Sequence, residues 1–336
     1  MRRPRLGHVL ACAGLAAAAC GGASKPPAAA EAPAHSQQQA PADEDRGEGD
    51  RDGPAAAEPE GARRFENVGF STPESVQHDP QADVWIVSNI EGSPLDADGK
   101  GFLSRIDPKT GKVEARWIDS GKHGVTLNAP KGIAISGDRI AVTDIDRVRF
   151  FDRTTGAPKG EVRLEGATFA NDVSFGPGGV LYVSDMGMGD TPKGFGPTGT
   201  DALWRILPDG TAEKVASGKD LGHPNGVAAG RDGVWVVTFG SAEIYQIADG
   251  ARRHVTKPGA GRLDGLVLLP DGSALFSSWE RKAIYRGPLP EGPFAPILTD
   301  LNAPADIGYD ASRRLVLVPL FEDDAVLALP LPPKTP

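Results

Sequence analysis

Apolar residues run in short alternating bursts along most of the chain, and six of these bursts open in the same way. The openings are Pro73-Glu74-Ser75-Val76, Pro130-Lys131-Gly132-Ile133, Ala170-Asn171-Asp172-Val173, Pro224-Asn225-Gly226-Val227, Leu263-Asp264-Gly265-Leu266 and Pro304-Ala305-Asp306-Ile307. Each is followed by a turn, in several copies built on Asp, Pro or Gly, and then by a second apolar run. Those runs close at Val87-Ser88, Val142-Thr143, Val183-Ser184, Val237-Thr238, Phe276-Ser277 and Val318-Pro319. From the second residue of each opening to the closing residue the interval is 12 to 14 in all six copies. So constant a spacing predicts one β-hairpin repeated six times.

Successive openings lie 57, 40, 54, 39 and 41 residues apart, so the unit is 40 residues and two units carry insertions. A unit of roughly 40 to 50 residues built of short strands is the mark of a β-propeller blade. The expected fold is all-β, a six-bladed β-propeller with four-stranded blades. Outer strands are visible at Gly101 to Ile106 with Val113 to Ile118, and at Ala202 to Ile206 with Ala212 to Val215. The run Phe65 to Phe70 is expected to pair into the last blade and close the ring, which removes an exposed strand edge. Both insertions, Asn89 to Gly101 and Met186 to Thr200, follow a second strand. Blade parity puts them on the face where the six openings begin, either as a rim over a site or as padding.

Composition supports this reading and marks off what precedes the ring. Gly and Pro, 43 and 30 residues, make up about a fifth of the chain, well above the roughly 12 % of average proteins. Met1-Arg2-Arg3-Pro4-Arg5 and the small apolar run to Ala19 form a secretory leader. The run Leu15-Ala16-Ala17-Ala18-Ala19-Cys20 resembles a bacterial lipobox, although lipoboxes favour Leu where Ala17 stands. Residues 1–19 are thus expected to be removed, leaving Cys20 as the lipidated first residue. Between Gly21 and Arg64 there is no Val, Ile, Leu, Met, Phe, Tyr or Trp. With nothing apolar to bury, residues 20–64 are expected to form a disordered tether before a ring spanning 65–332. The expected setting is the bacterial periplasm or cell envelope, with membrane contact only through the lipid.

The leader carries three arginines and the tether five basic against nine acidic residues, which leaves −8 of the chain's −9 to residues 65–336. Nothing in that field draws nucleic acid. Both cysteines, Cys12 and Cys20, lie before the ring, so it has neither a disulfide nor a thiolate metal site.

The second residues of the six openings are Glu74, Lys131, Asn171, Asn225, Asp264 and Ala305. In a closed ring they converge on the axis. Glu74, Asn171, Asn225 and Asp264 are hard oxygen ligands, two charged and two neutral. That set suits Ca²⁺, which takes six to eight oxygens, ahead of Mg²⁺, Mn²⁺ or Zn²⁺. Lys131 could hold an anionic substrate or turn its ammonium outward. Asp185, with Asn89 and Asp144 at corresponding strand ends, could bind substrate from behind the site or cap hairpins. His223 reads as a structural hydrogen-bonder beside a turn. Asp96, Asp98 and Gly99 resemble part of a calcium loop that lacks its closing Glu. There is no Gly-x-Ser-x-Gly elbow and no phosphate-binding Gly-rich loop.

Four of these openings, Pro73-Glu74-Ser75-Val76, Asn171-Asp172-Val173, Pro224-Asn225-Gly226-Val227 and Leu263-Asp264-Gly265-Leu266, resemble the signature motifs of the gluconolactonase and regucalcin (senescence marker protein) family. The resemblance covers about residues 65 to 332; Lys131 and the acid at the third position, Asp306, depart from it. The resemblance implies a six-bladed propeller in which Glu74, Asn171, Asn225 and Asp264 hold a divalent metal, usually calcium. It further implies that Asn171 also faces substrate and that Asp264 doubles as general base or nucleophile, with general base the role expected here in hydrolysis of a lactone or related ester. The partner expected is a small-molecule substrate, and the chain is expected to be a monomer. The competing class is a propeller lipoprotein that binds a ligand or partner and has no chemistry.

Overall fold

A computed structural model describes residues 60–333; the leader, Cys20 and all but the last residues of the tether lie outside them. Within the ring there are six four-stranded antiparallel sheets. Blade one is Pro73–Asp79, Val84–Asn89, Phe102–Ile106 and Val113–Asp119; blade two is Pro130–Ser136, Arg139–Asp144, Arg147–Asp152 and Pro158–Arg163. Blade three is Ala170–Phe175, Leu181–Asp185, Ala202–Ile206 and Ala212–Ser217, with an extra hairpin, Met188–Thr191 and Gly194–Pro197, between its second and third strands. Blade four is Pro224–Gly230, Gly233–Thr238, Ile244–Ala248 and Ala251–Thr256; blade five is Leu263–Leu268, Ser273–Ser278, Ala283–Pro288 and Ala295–Leu298. Blade six joins Gly308–Asp310, Leu315–Leu320 and Ala325–Pro330 to Arg63–Phe65 from the other end of the ring.

The closing strand lies earlier than the sequence suggests. Phe65 is its last residue, and Phe70 packs into the core from an irregular stretch. Asn67 and Gly69 take φ of 56° and 96°, which bends the chain off the sheet before a longer strand can form.

The core consists of six apolar clusters, one at each seam between neighbouring blades. Ile86, Leu103, Ile118, Ile133, Ile140 and Val142 fill the seam between blades one and two, and Phe65, Val76, Trp85, Leu317 and Val326 the seam that closes the ring. There Trp85 Nε1 donates to Asp310 at 3.0 Å and Arg313 pairs with Asp83 at 2.8 Å.

Toward the axis a local irregularity takes over. In blades one to five the first hairpin loses register at the opening motif. In blade three, Ala170 pairs with Asp185 and Val173 with Val183, so Asn171 and Asp172 together face Ser184 alone. Blades one, two, four and five show the same two-against-one bulge. The bulge breaks the alternation of the strand and turns its second residue to the axis. The single opposing residue then plugs the gap with its hydroxyl. Ser184 Oγ accepts from Asp172 N–H at 3.0 Å and donates to the Asn225 carbonyl of the next blade at 2.6 Å. Ser277 Oγ does the same between Gly265 N–H, at 2.8 Å, and the Ala305 carbonyl, at 2.8 Å. Thr143 donates to the Asn171 carbonyl, and Ser75 N–H donates to Ser88 Oγ.

This belt explains why the second runs end in small polar residues, and it corrects one of them. In blade four Thr238 pairs with Pro224, so the residue facing the bulge is Val237. In blade six Pro319 has no hydroxyl, and backbone bonds replace it: Ala305 N–H donates to the Pro319 carbonyl and Asp306 N–H to that of Glu74. Gly226 and Gly265 are required where blades nearly touch, since a Cβ there would stand 2.1 Å from the Asp264 carbonyl oxygen and 2.3 Å from Ile307 N.

Removing a belt hydroxyl strands two buried backbone groups, each worth about 1–3 kcal/mol. Ser277→Ala is therefore expected to lower stability by about 2–4 kcal/mol in urea unfolding. A loss below about 0.5 kcal/mol would show that the belt does not hold the blades.

Candidate metal centre

In blades one to five the bulges bring the second residue of each opening toward the axis, and all six second residues are buried. Glu74, Lys131, Asn171, Asn225 and Asp264 are each at most 5 % exposed. Four of their oxygens, Glu74 Oε2, Asn171 Oδ1, Asn225 Oδ1 and Asp264 Oδ1, have no hydrogen-bond partner among the described residues. They belong to the four side chains singled out from sequence. Ala305 contributes no polar atom. Lys131 does not turn outward: its ammonium donates to the Ala129 carbonyl at 3.0 Å and lies 4.5 Å from the centre of the Phe169 ring.

Burial governs the electrostatics. It pushes the Glu74 and Asp264 carboxyls well above the usual range, and the charges of Asp264 and Asp306 add to the rise at Glu74. The Asp306 charge adds to it at Asp264, while the nearby polar side chains of Trp279 and Asn225 oppose it. Burial also pushes the Lys131 ammonium down to about 8, against the attraction of Glu74 and Asp144. An unpaired buried carboxylate thus prefers to be neutral, and a nearby cation would return it to the charged form.

One residue further along the strands, two more carboxyls are raised by burial, Asp172 well above the usual range and Asp306 to about 7. Unlike the four oxygens above, these are satisfied. Asp172 accepts from Val173 N–H at 2.6 Å and Val227 N–H at 2.7 Å, and Asp306 accepts from Ser75 Oγ and from Gln77 Nε2. They line a cavity of about 340 Å³ that opens on the far face of the ring and includes none of the four candidate ligands.

Asp185 takes up hairpin duty. Its Oδ1 accepts from the backbone N–H of Phe169 at 3.0 Å and Gly187 at 3.1 Å, fixing the approach to the third opening. Asp144 does the same for Ala129 N–H and Asn89 for Ser71 N–H. His223 is held by Asp201 and by the Met186 carbonyl at 2.9 Å, and Asp98 is tied to Lys100 at 2.7 Å. Three neighbours escaped sequence reasoning: Phe169 beneath Lys131, Met186, whose sulfur is 3.7 Å from Asn171 Nδ2, and Trp279 beside Asp264. Two of them, Met186 and Trp279, directly follow the residue paired with an opening's first residue, a signal visible only once the register is known.

The residues fit a hard cation. Among the described residues there is no group of three or more His, Cys, Asp and Glu placed to hold an ion, so any ion here must draw on amide oxygens, as Asn171 and Asn225 offer. That donor set lacks the nitrogen and sulfur preferred by zinc and matches the oxygen coordination of calcium.

No protein-family model matches the sequence, and no curated protein matches it. Among solved structures the ring is similar to a gluconolactonase from Xanthomonas campestris, with a TM-score of 0.58 and 17 % identity over 81 % of this chain and 90 % of that one. The chain has the gluconolactonase-like six-bladed propeller fold. A luciferin-regenerating enzyme shares this propeller at a TM-score of 0.57 and 14 % identity, over 80 % of this chain and 95 % of its own. So does a virginiamycin B lyase from Staphylococcus aureus, at 0.54 and 16 %, over 81 % and 99 %. Since a lyase and a lactonase share the propeller, its side chains must decide the chemistry.

Without metal, the folded protein keeps protons on these carboxyls at pH values where the unfolded chain has released them. Asp306, for example, goes from an ordinary 3.8 to about 7. Proton linkage then makes stability fall as pH rises from about 4 to 7. In chelator, the urea midpoint is expected to be lower at pH 7 than at pH 5, and calcium is expected to shrink the difference. A midpoint that is flat or rises with pH would contradict this charge arrangement.

Proposed function

We propose that the protein is a divalent-cation-dependent hydrolase of lactones or closely related esters, with calcium as its ion. The observation that carries this reading is a set of four buried oxygens without partners at equivalent positions on the inner strands of blades one, three, four and five; a further such oxygen, Asp185 Oδ2, lies at the end of a second strand. Left bare, such groups cost about 1–3 kcal/mol each. Among the described residues Lys131 is the ammonium that acts on Glu74, and it is already bonded to a carbonyl. Glu74, Asn171, Asn225 and Asp264 would hold the ion.

Bound there, the cation supplies Lewis-acid polarisation of the substrate carbonyl. Asp264 takes a proton from the water that attacks the carbonyl carbon. The ring C–O bond then breaks, and the proton passes to the departing alkoxide oxygen, so that lactone and water become one hydroxy acid. Asn171, through its amide N–H, and Lys131, through the N–H groups it does not spend on Ala129, orient the substrate. Asp185 acts behind them by fixing the backbone that carries Phe169. On this reading the ring works as a monomer on a small molecule, tethered to the cell envelope through Cys20.

Calcium at 100 times its Kd should stabilise the ring by about 2.7 kcal/mol, which raises Tm by roughly 5 to 10 °C in a domain of this size, and chelator should reverse the gain. If calcium, magnesium, manganese and zinc all leave Tm unmoved, the site is not a metal centre. In a screen of sugar lactones, alkyl lactones and fluorophosphates at fixed calcium, Asp264→Asn is expected to lower kcat by about 10²–10⁴-fold. If every substrate is inert in the native enzyme, the binding-propeller reading replaces this one.

A further inference from the structure

We infer that the mouth selects lactones carrying an apolar chain or aromatic group over polyhydroxylated sugar lactones, by means of a collar of apolar side chains around the polar floor. The inference rests on the hydrolase reading above and specifies its substrate class. In each blade one residue pairs with the first residue of the opening: Asn89, Asp144, Asp185, Thr238, Ser278 and Leu320. The residues that follow them are Ile90, Ile145, Met186, Phe239, Trp279 and Phe321, all apolar.

Their backbones hang them at one level. Ile90, Met186, Phe239, Trp279 and Phe321 each donate N–H to the carbonyl of the residue just before an opening, namely Thr72, Phe169, His223, Arg262 and Ala303, at 2.9–3.1 Å. Ile145 instead accepts from Ala170 N–H at 2.7 Å and takes φ of 58°. That conformation is costly for a β-branched residue and tends to persist where a site demands it.

Met186 touches the floor at Asn171, and Trp279 stands near Asp264 with its buried Nε1 free of a hydrogen-bond partner among the described residues. On blades four to six the collar is continuous and aromatic: Phe239 meets Trp279 edge-on at 5.7 Å between ring centres, and Trp279 meets Phe321 at 5.2 Å. These three rings are only half-buried, so apolar surface remains for a ligand to cover. Across the mouth, Phe195 of the inserted hairpin packs on Phe169, and the hydroxyls of Thr168, Thr198 and Thr200 are spent on one another at 2.8–3.0 Å. A polyol leaving the floor would meet carbon, whereas an alkyl chain would lose contact with water.

The test is a series of γ-lactones bearing linear alkyl chains of one to eight carbons, assayed with calcium beside gluconolactone. Full burial of a methylene is worth about 0.8 kcal/mol, or about fourfold, so kcat/KM is expected to rise about two- to fourfold per carbon over the first several. Trp279→Ala and Phe321→Ala should flatten that rise and Trp279→Phe should keep it, with thermal unfolding confirming that each variant folds. A gluconolactone rate above the whole alkyl series, or a rate independent of chain length, would overturn the inference. If no lactone is hydrolysed, the hydrolase reading fails and binding judges the collar. The matching γ-lactams are then titrated by tryptophan fluorescence. Affinity that grows with chain length and is lost in Trp279→Ala upholds the collar, and absent or chain-independent binding overturns it.

Discussion

Each of the first five blades opens with two residues facing one across its first hairpin, and that mismatch decides what the axis holds. A regular strand would send alternate side chains into the two neighbouring seams. The bulge instead frees its second residue to point inward and lets its third lie against the next blade. A hydroxyl from the facing strand satisfies the backbone exposed by the mismatch, and it does so toward both blades at once, as Ser184 and Ser277 show. Blade closeness, the glycines at positions 226 and 265 and the burial of the axial side chains all follow from this repeated irregularity.

The bulge also divides the acids by task. Asp172 and Asp306 stand at third positions and find backbone N–H or hydroxyl donors, so their charge is taken up by the protein. Glu74 and Asp264 stand one residue earlier and keep an oxygen that nothing satisfies. Adjacent residues on one strand thus serve opposite ends. One kind locks neighbouring blades together, and the other, on the reading proposed above, would be held for the ion. Four carboxyls lie together with an ammonium beside only Glu74 among them, and burial raises all four, with repulsion among them adding to the rise at Glu74, Asp172 and Asp264.

Much of this was legible in the sequence because repetition places equivalent residues at equivalent depths. Glu74, Asn171, Asn225 and Asp264 could be picked out by repeat position and side-chain oxygen together, and each carries a buried oxygen without a partner. Finer registration was not legible. Hairpin turns differ in length by a residue or two, so in blade four a count ending at Thr238 looks as regular as one ending at Val237, and both residues suit a strand. The pairing of Pro224 with Thr238 decides it. The closing strand was misplaced because Phe65 and Phe70 are both buried, although only one is in a sheet. Asp185 was ambiguous for a similar reason: an aspartate at a strand end looks the same whether it faces a substrate or three backbone amides.

The polar floor and the apolar collar strengthen one another. Charges act more strongly where water is excluded, because the effective dielectric falls, and a carbonyl brought to the floor feels Asp264, Asn171 and Lys131 most when bulk solvent is kept out. Two collar side chains stand beside groups that would gain from the exclusion of water, Met186 against Asn171 and Trp279 near Asp264. An apolar substituent completing the collar would therefore do more than add contact area, since it would seal the floor on which the chemistry depends. Recognition of the substrate's tail and activation of its carbonyl are on this account one event, which is why a binding preference should appear in kcat/KM and not in affinity alone.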